Sequence, residues 1–97
     1  MPVRIEAGRD LVKLSLPQRE VLERMAHGAV LFVRLQPTEA GVQQTCWIGS
    51  VELAPMTVNA LITARLLEQR EKISQRSGAL TASYIMSYAG QAALEAS

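Results

Sequence analysis

Ala54-Pro55-Met56-Thr57-Val58-Asn59-Ala60-Leu61-Ile62-Thr63-Ala64-Arg65-Leu66-Leu67 decides how this chain folds, because a helical period returns there after a run of strand-like sequence. Val58, Leu61 and Ile62 form an inward stripe, and Pro55 fits a first helical turn, where its missing N–H costs nothing. Met56, Asn59, Ala60 and Thr63 are left pointing outward, so the spacing predicts a presented helix over 55–65. A polar strand follows from Glu68 to Ile73, then a tip at Ser74-Gln75-Arg76-Ser77-Gly78 and a returning strand from Ala79 to Met86. In that second strand Leu80, Ala82, Tyr84 and Met86 share one face, with Thr81, Ser83 and Ile85 on a wetter one. Ser87 then caps a last helix, whose Ala89, Ala92, Ala93 and Leu94 suit close packing against an earlier helix.

Working back from this segment, Ser15 stands three residues before Gln18 with Pro17 between them, the spacing of a capping box. Val21, Leu22 and Met25 make one apolar stripe, Arg19, Glu20, Glu23 and Arg24 take the opposite face, and His27-Gly28 supplies the stop. A first helix is therefore expected over about 16–27. Ala29 to Leu35 is short and β-branched, Pro37 to Gly41 breaks it, and Val42 to Ile48 returns as a partner strand ended by Gly49-Ser50. The period of two places Cys46 and Trp47 on opposite faces of that strand. Met1 to Leu14 alternates weakly through Val3 and Ile5 and again through Val12 and Leu14, and reads as an arm or edge strand. The expected fold class is α+β, a single domain over 1–97 with the order (β)-α-β-β-α-β-β-α.

The order from Ala54 to Leu94 resembles the second half of a winged-helix domain of the MarR-like kind. There a presented helix is followed by a wing and by a closing helix entered through a Tyr-x-Leu-Thr-x-x-Gly phrase; Tyr84-Ile85-Met86-Ser87-Tyr88-Ala89-Gly90 stands in its place. The likeness covers about residues 15–95. Gly90 matches the family's small residue at a tight helix contact, and Thr57-Val58, Leu61 and Leu66-Leu67 also match. The chain departs from the pattern in three places. Ala54 stands where a capping Ser is usual, Arg65 stands where a Gly is usual, and a hairpin occupies the region of the family's second helix.

At 97 residues, 48% hydrophobic and 20% charged, the chain suits one modest core, burying about 60 to 65% of its unfolded surface. A formal net charge of +1 gives no overall basic field, so nucleic-acid binding has to come from a local patch. The single cysteine, Cys46, rules out an internal disulfide, and the sequence shows neither a signal-peptide pattern nor a long apolar run. A cytoplasmic protein with no membrane association is the expectation. No catalytic constellation emerges: His27 is the only histidine and reads as a helix-end residue, and Cys46 in a Val/Gln/Thr/Trp/Ile strand reads as a packing residue. With one Cys and one His at no ligand spacing there is no metal site, and the glycines form no nucleotide fingerprint. Enzyme activity and a bound cofactor are not expected.

Two binding readings of different class remain. In the first, which the winged-helix resemblance implies, the chain is a transcription-regulatory module that binds duplex DNA. Thr57, Asn59 and Thr63 of the presented helix would lie near base edges or phosphates, Arg65 would add a contact, and Arg70, Lys72 and Arg76 of the wing would meet the backbone. Glu68 and Glu71 dilute that wing, leaving residues 54–80 at a net +2. In the second, the chain is a protein-interaction or inhibitor module of the kind carried on phages and other mobile elements, including one that forms a homodimer. It would dock through Met56 and Ala60 on a nearly uncharged helix.

Overall fold

A computed structural model describes residues 13–97. The described residues form an α+β unit of three helices and a five-stranded antiparallel sheet. In chain order these are α1 (Leu16–Ala26), β1 (Leu31–Thr38), β2 (Gly41–Ile48), β3 (Val51–Leu53), α2 (Pro55–Thr63), β4 (Leu67–Ser74), β5 (Leu80–Met86) and α3 (Tyr88–Ala96). Across the sheet the strands run β3-β2-β1-β5-β4. The arm expected at the start of the chain lies, for residues 1–12, outside the described residues. Leu14 packs against the core.

The first helix begins as its sequence dictates. The Ser15 hydroxyl accepts from the Gln18 N–H at 3.2 Å, and the Gln18 side chain accepts from the Ser15 N–H at 2.9 Å. Two otherwise orphaned donors are thereby satisfied, a contribution of about 1 kcal/mol. Val21, Leu22 and Met25 are buried as the stripe requires. The helix stops at His27 because Gly28 turns left-handed, with φ 98°. Gly28 N–H then bonds to the Met25 carbonyl and Ala29 N–H to the Arg24 carbonyl, the paired bonds of a Schellman stop.

β1 runs further than the sequence suggests. It continues through Pro37 to Thr38, so the hairpin turns on Glu39-Ala40 rather than on the whole Pro37–Gly41 stretch. Pro37 is tolerated because the β5 pairing ends at Leu35 and leaves the proline with β2 as its only strand neighbour. The Gly78 turn of the second hairpin lies against it: a Cβ there would stand 3.2 Å from Pro37 Cγ. After Gly49-Ser50 the chain folds back once more as β3, pairing Val51 with Ile48 and Leu53 with Cys46. This third strand was not expected, since three residues carry no readable period.

All three helices contribute to one core on one face of the sheet. Val21, Leu22 and Met25 from α1 and Val58 and Leu61 from α2 cluster with Leu31, Val33, Cys46, Ile48, Leu66 and Leu67, and α3 adds Ala93 and Leu94 at the margin. Ala89 and Ala92, expected in that contact, are instead exposed, because the inward side of the short α3 is used by Gly90, Ala93 and Leu94. Cys46 is buried with the core and Trp47 faces the other way, as the alternation requires. Ser83, expected on a wetter face, is only 6% exposed.

Candidate nucleic-acid interface

α2 ends two residues earlier than 65, for a reason visible in the backbone. Arg65 has φ 62°, the only positive φ of a non-glycine among the described residues. Its N–H bonds to the Ile62 carbonyl at 2.9 Å, and Leu66 N–H bonds to the Leu61 carbonyl at 3.0 Å. This is a second Schellman stop, sealed by the buried pair Leu61 and Leu66, with an arginine in the left-handed place that glycine fills most cheaply. At the other end Ala54 provides no side-chain cap, and Thr57 and Val58 N–H groups close on the Ala54 carbonyl.

The start of α3 locks this turn in place. Ser87 N–H donates to the Leu66 carbonyl at 3.0 Å, and the Ser87 hydroxyl donates to the Arg65 carbonyl at 2.9 Å while accepting from Gly90 N–H at 3.0 Å. Gly90 is buried, and a Cβ on it would collide with the Leu66 carbonyl oxygen. The Tyr84–Gly90 phrase thus has a local physical purpose: its Ser and Gly let the start of α3 rest on the backbone that joins α2 to β4. The tight contact of Gly90 is made with that junction rather than with a helix.

The outward residues of α2 fare differently from one another. Asn59 is committed within the molecule: Gln44 Nε2 donates to Asn59 Oδ1 at 2.8 Å, and Asn59 Nδ2 donates to Gln44 Oε1 at 3.2 Å. The two-way amide pair ties α2 to β2 across 15 positions of sequence. Sequence reasoning missed Gln44, and nothing in its spacing marks it. Thr57 is half-buried and lines a cleft of about 190 Å³ between α1, β3 and the start of α2. Ala60, expected outward, is half-buried as well. Thr63 and Arg65 are exposed, and Met56 is 83% exposed.

The hairpin β4–β5 sorts its charges by face. Lys72 pairs with Ala82, which pairs with Val33 of the core-facing set, so Lys72 lies on the side of the sheet that carries the helices. Glu71 pairs with Ser83 and Glu68 with Ile85, which places both carboxylates on the opposite side. Arg70 is the extra residue of a bulge between Gln69 and Glu71, and Arg76 sits in the tip. Arg70, Lys72 and Arg76 are all exposed.

Cys46 is a buried free thiol. Burial pushes its pKa up, with the Glu52 carboxylate adding to the rise and the Gln44 amide, 3.6 Å from Sγ, opposing it. Among the described residues no three His, Cys, Asp or Glu side chains gather where they could hold a metal ion. No helix among them is long and apolar enough to cross a membrane. Comparison of the chain with protein-family models, with curated proteins and with solved structures finds no match.

Proposed function

We propose that the chain is a winged-helix-like module that binds duplex DNA, in a regulatory role, through phosphate contacts from the end of α2 and from the β4–β5 hairpin. The observation that carries this reading is the sorting of charge on the hairpin. With Glu68 and Glu71 turned to the side away from Lys72, the exposed Arg65, Lys72, Arg70 at the bulge and Arg76 at the tip supply the cations for such contacts. Phosphate contacts of this type position a protein on the duplex without reading its sequence. Base readout through Asn59 is given up, since breaking its paired amide bonds with Gln44 would have to precede any contact with adenine.

Three or four neutralised phosphates set a log K against log salt slope of about −3 to −4. Binding to a mixed-sequence duplex at low salt is expected to show that slope, and changing Arg70, Lys72 and Arg76 together to Ala should abolish binding with little change in melting. Absence of binding at tens of micromolar protein and low salt would overturn the reading. The exposed Met56 favours the second reading, a protein partner docked on α2. In that case Met56→Asp would weaken the complex while the triple wing variant and salt had only mild effects.

A further inference from the structure

The face of the sheet turned away from the helices is organised around a single row of residues. The strand registers set Glu52 of β3, Trp47 of β2, Phe32 of β1, Ser83 of β5 and Glu71 of β4 side by side across all five strands. Phe32 and Trp47 stack with ring centroids 5.5 Å apart and planes 17° from parallel. Both rings are half-buried and neither belongs to the core that the helices cover. Beside Phe32 in the row the Ser83 hydroxyl is buried with no hydrogen-bond partner among the described residues, which is uncommon for a buried polar group. Exposed carboxylates close the row at both ends.

The charge on this face selects among occupants. Among the described residues whose register fixes a face, Glu52, Glu68 and Glu71 stand on it against the guanidinium of Arg34, whose register with Thr45 and Thr81 puts it in the neighbouring row, while Arg70 sits at the bulge beside Glu71. A nucleic-acid backbone would meet three carboxylates. A second copy laid face to face would set an acid-rich surface against its own like, which is unfavourable where charges are brought close. A cationic side chain, by contrast, gains twice, from packing its apolar stem against the aromatic pair and from a carboxylate toward either end of the row.

We propose that this face docks a basic, partly apolar segment of a partner protein, laying Arg or Lys side chains over the Phe32–Trp47 pair between Glu52 and Glu71. The row shares no residue with the cations proposed for DNA, so the two surfaces can be tested by separate variants.

Trp47 is the only tryptophan of the chain, so its fluorescence reads this face directly. The probe is a blocked hexapeptide alternating valine and arginine, titrated into the full chain, with the same peptide carrying glutamate for arginine as control. A saturable change in Trp47 emission is expected with the arginine peptide and none with the control. The double variant Glu52→Gln, Glu71→Gln, at exposed positions that leave the core intact, should weaken binding about tenfold or more. The triple wing variant that abolishes DNA binding should bind the peptide as the wild type does, so failure of one proposal is distinguishable from failure of the other. Any one of three results would overturn the docking proposal: no emission change with millimolar arginine peptide, an equal response to both peptides, or an unchanged affinity in the Gln variant. Trp47 emission that depends on protein concentration in the absence of peptide would assign the face to a second copy instead.

Discussion

Replacing Gly90 by Ala tests the junction on which the C-terminal half is built. An alanine Cβ would collide with the Leu66 carbonyl oxygen and stand 2.9 Å from Met86 Cγ and 3.1 Å from the Leu66 carbonyl carbon. The methionine can swing aside, but the carbonyl is held by Ser87 N–H and belongs to the turn whose Arg65 carbonyl takes the Ser87 hydroxyl. Relief therefore requires α3 to retreat. Overpacking of this kind costs about 1 to 3 kcal/mol, and each hydrogen bond loosened adds about 1 kcal/mol. Alanine returns at most about 1 kcal/mol in helix propensity. The net expectation is a loss of about 2 to 3 kcal/mol, a large share of the roughly 5 to 15 kcal/mol that a domain of this size has. With a urea m-value of about 1 kcal/mol/M, the unfolding midpoint should fall by about 2 to 3 M. Ala89→Gly, one position earlier and exposed, is the control and should lose only the propensity difference, at most about 1 kcal/mol. A Gly90→Ala protein as stable as the wild type or more so would refute the close approach.

Arg65→Gly should raise stability by about 0.5 to 1 kcal/mol, because relief of a left-handed Cβ, about 1 to 2 kcal/mol, outweighs the extra chain entropy of glycine in the unfolded state. A loss on urea denaturation would contradict the left-handed turn. Cys46 predicts an alkaline weakness: burial raises its pKa in the folded state, so its contribution is intact below about pH 8.5, where an unfolded cysteine ionises, and is lost as pH rises toward the folded value. Between pH 7 and 9.5 the wild type should lose more stability than Cys46→Ala, and equal losses in the two proteins would remove the thiol as the cause.

The parts of the fold that were legible in the sequence are those set by local chemistry. Ser15 with Gln18, Gly28 and the stripe through Val21, Leu22 and Met25 fix α1 without reference to the rest of the chain. Arg65 was legible as a problem, because the place called for a residue without a Cβ, and its φ of 62° shows that tertiary packing won over local preference. β3 was not legible, since Val51-Glu52-Leu53 becomes a strand only through pairing with Cys46–Ile48. The same limit applied to the candidate site. Asn59 and Ala60 have outward positions on an isolated helix and Thr57 reads as a contact residue, but Gln44 engages Asn59 and Thr57 lines the cleft beside α1 once the helix is docked. The far sheet face was half legible: the opposition of Cys46 and Trp47 follows from alternation, whereas the neighbours Phe32, Ser83 and Glu71 follow only from register.

Arg65 joins the stability of the module to its proposed activity. A non-glycine residue held left-handed costs stability, and such strain gathers at functional positions. Here the strained residue carries a cation at the turn between α2 and the hairpin that bears Lys72. A glycine would close α2 more cheaply and leave the proposed contacts one charge short. The substitution that stabilises the fold should therefore weaken duplex binding, with the salt slope flattened by about one. A variant that became more stable while keeping the full slope would show that Arg65 meets no phosphate, and the phosphate contacts would then begin at Arg70. A variant that gained stability and lost one contact would identify the strain as a cost retained for the interface, because nothing in the packing of Leu61 against Leu66 requires an arginine between them.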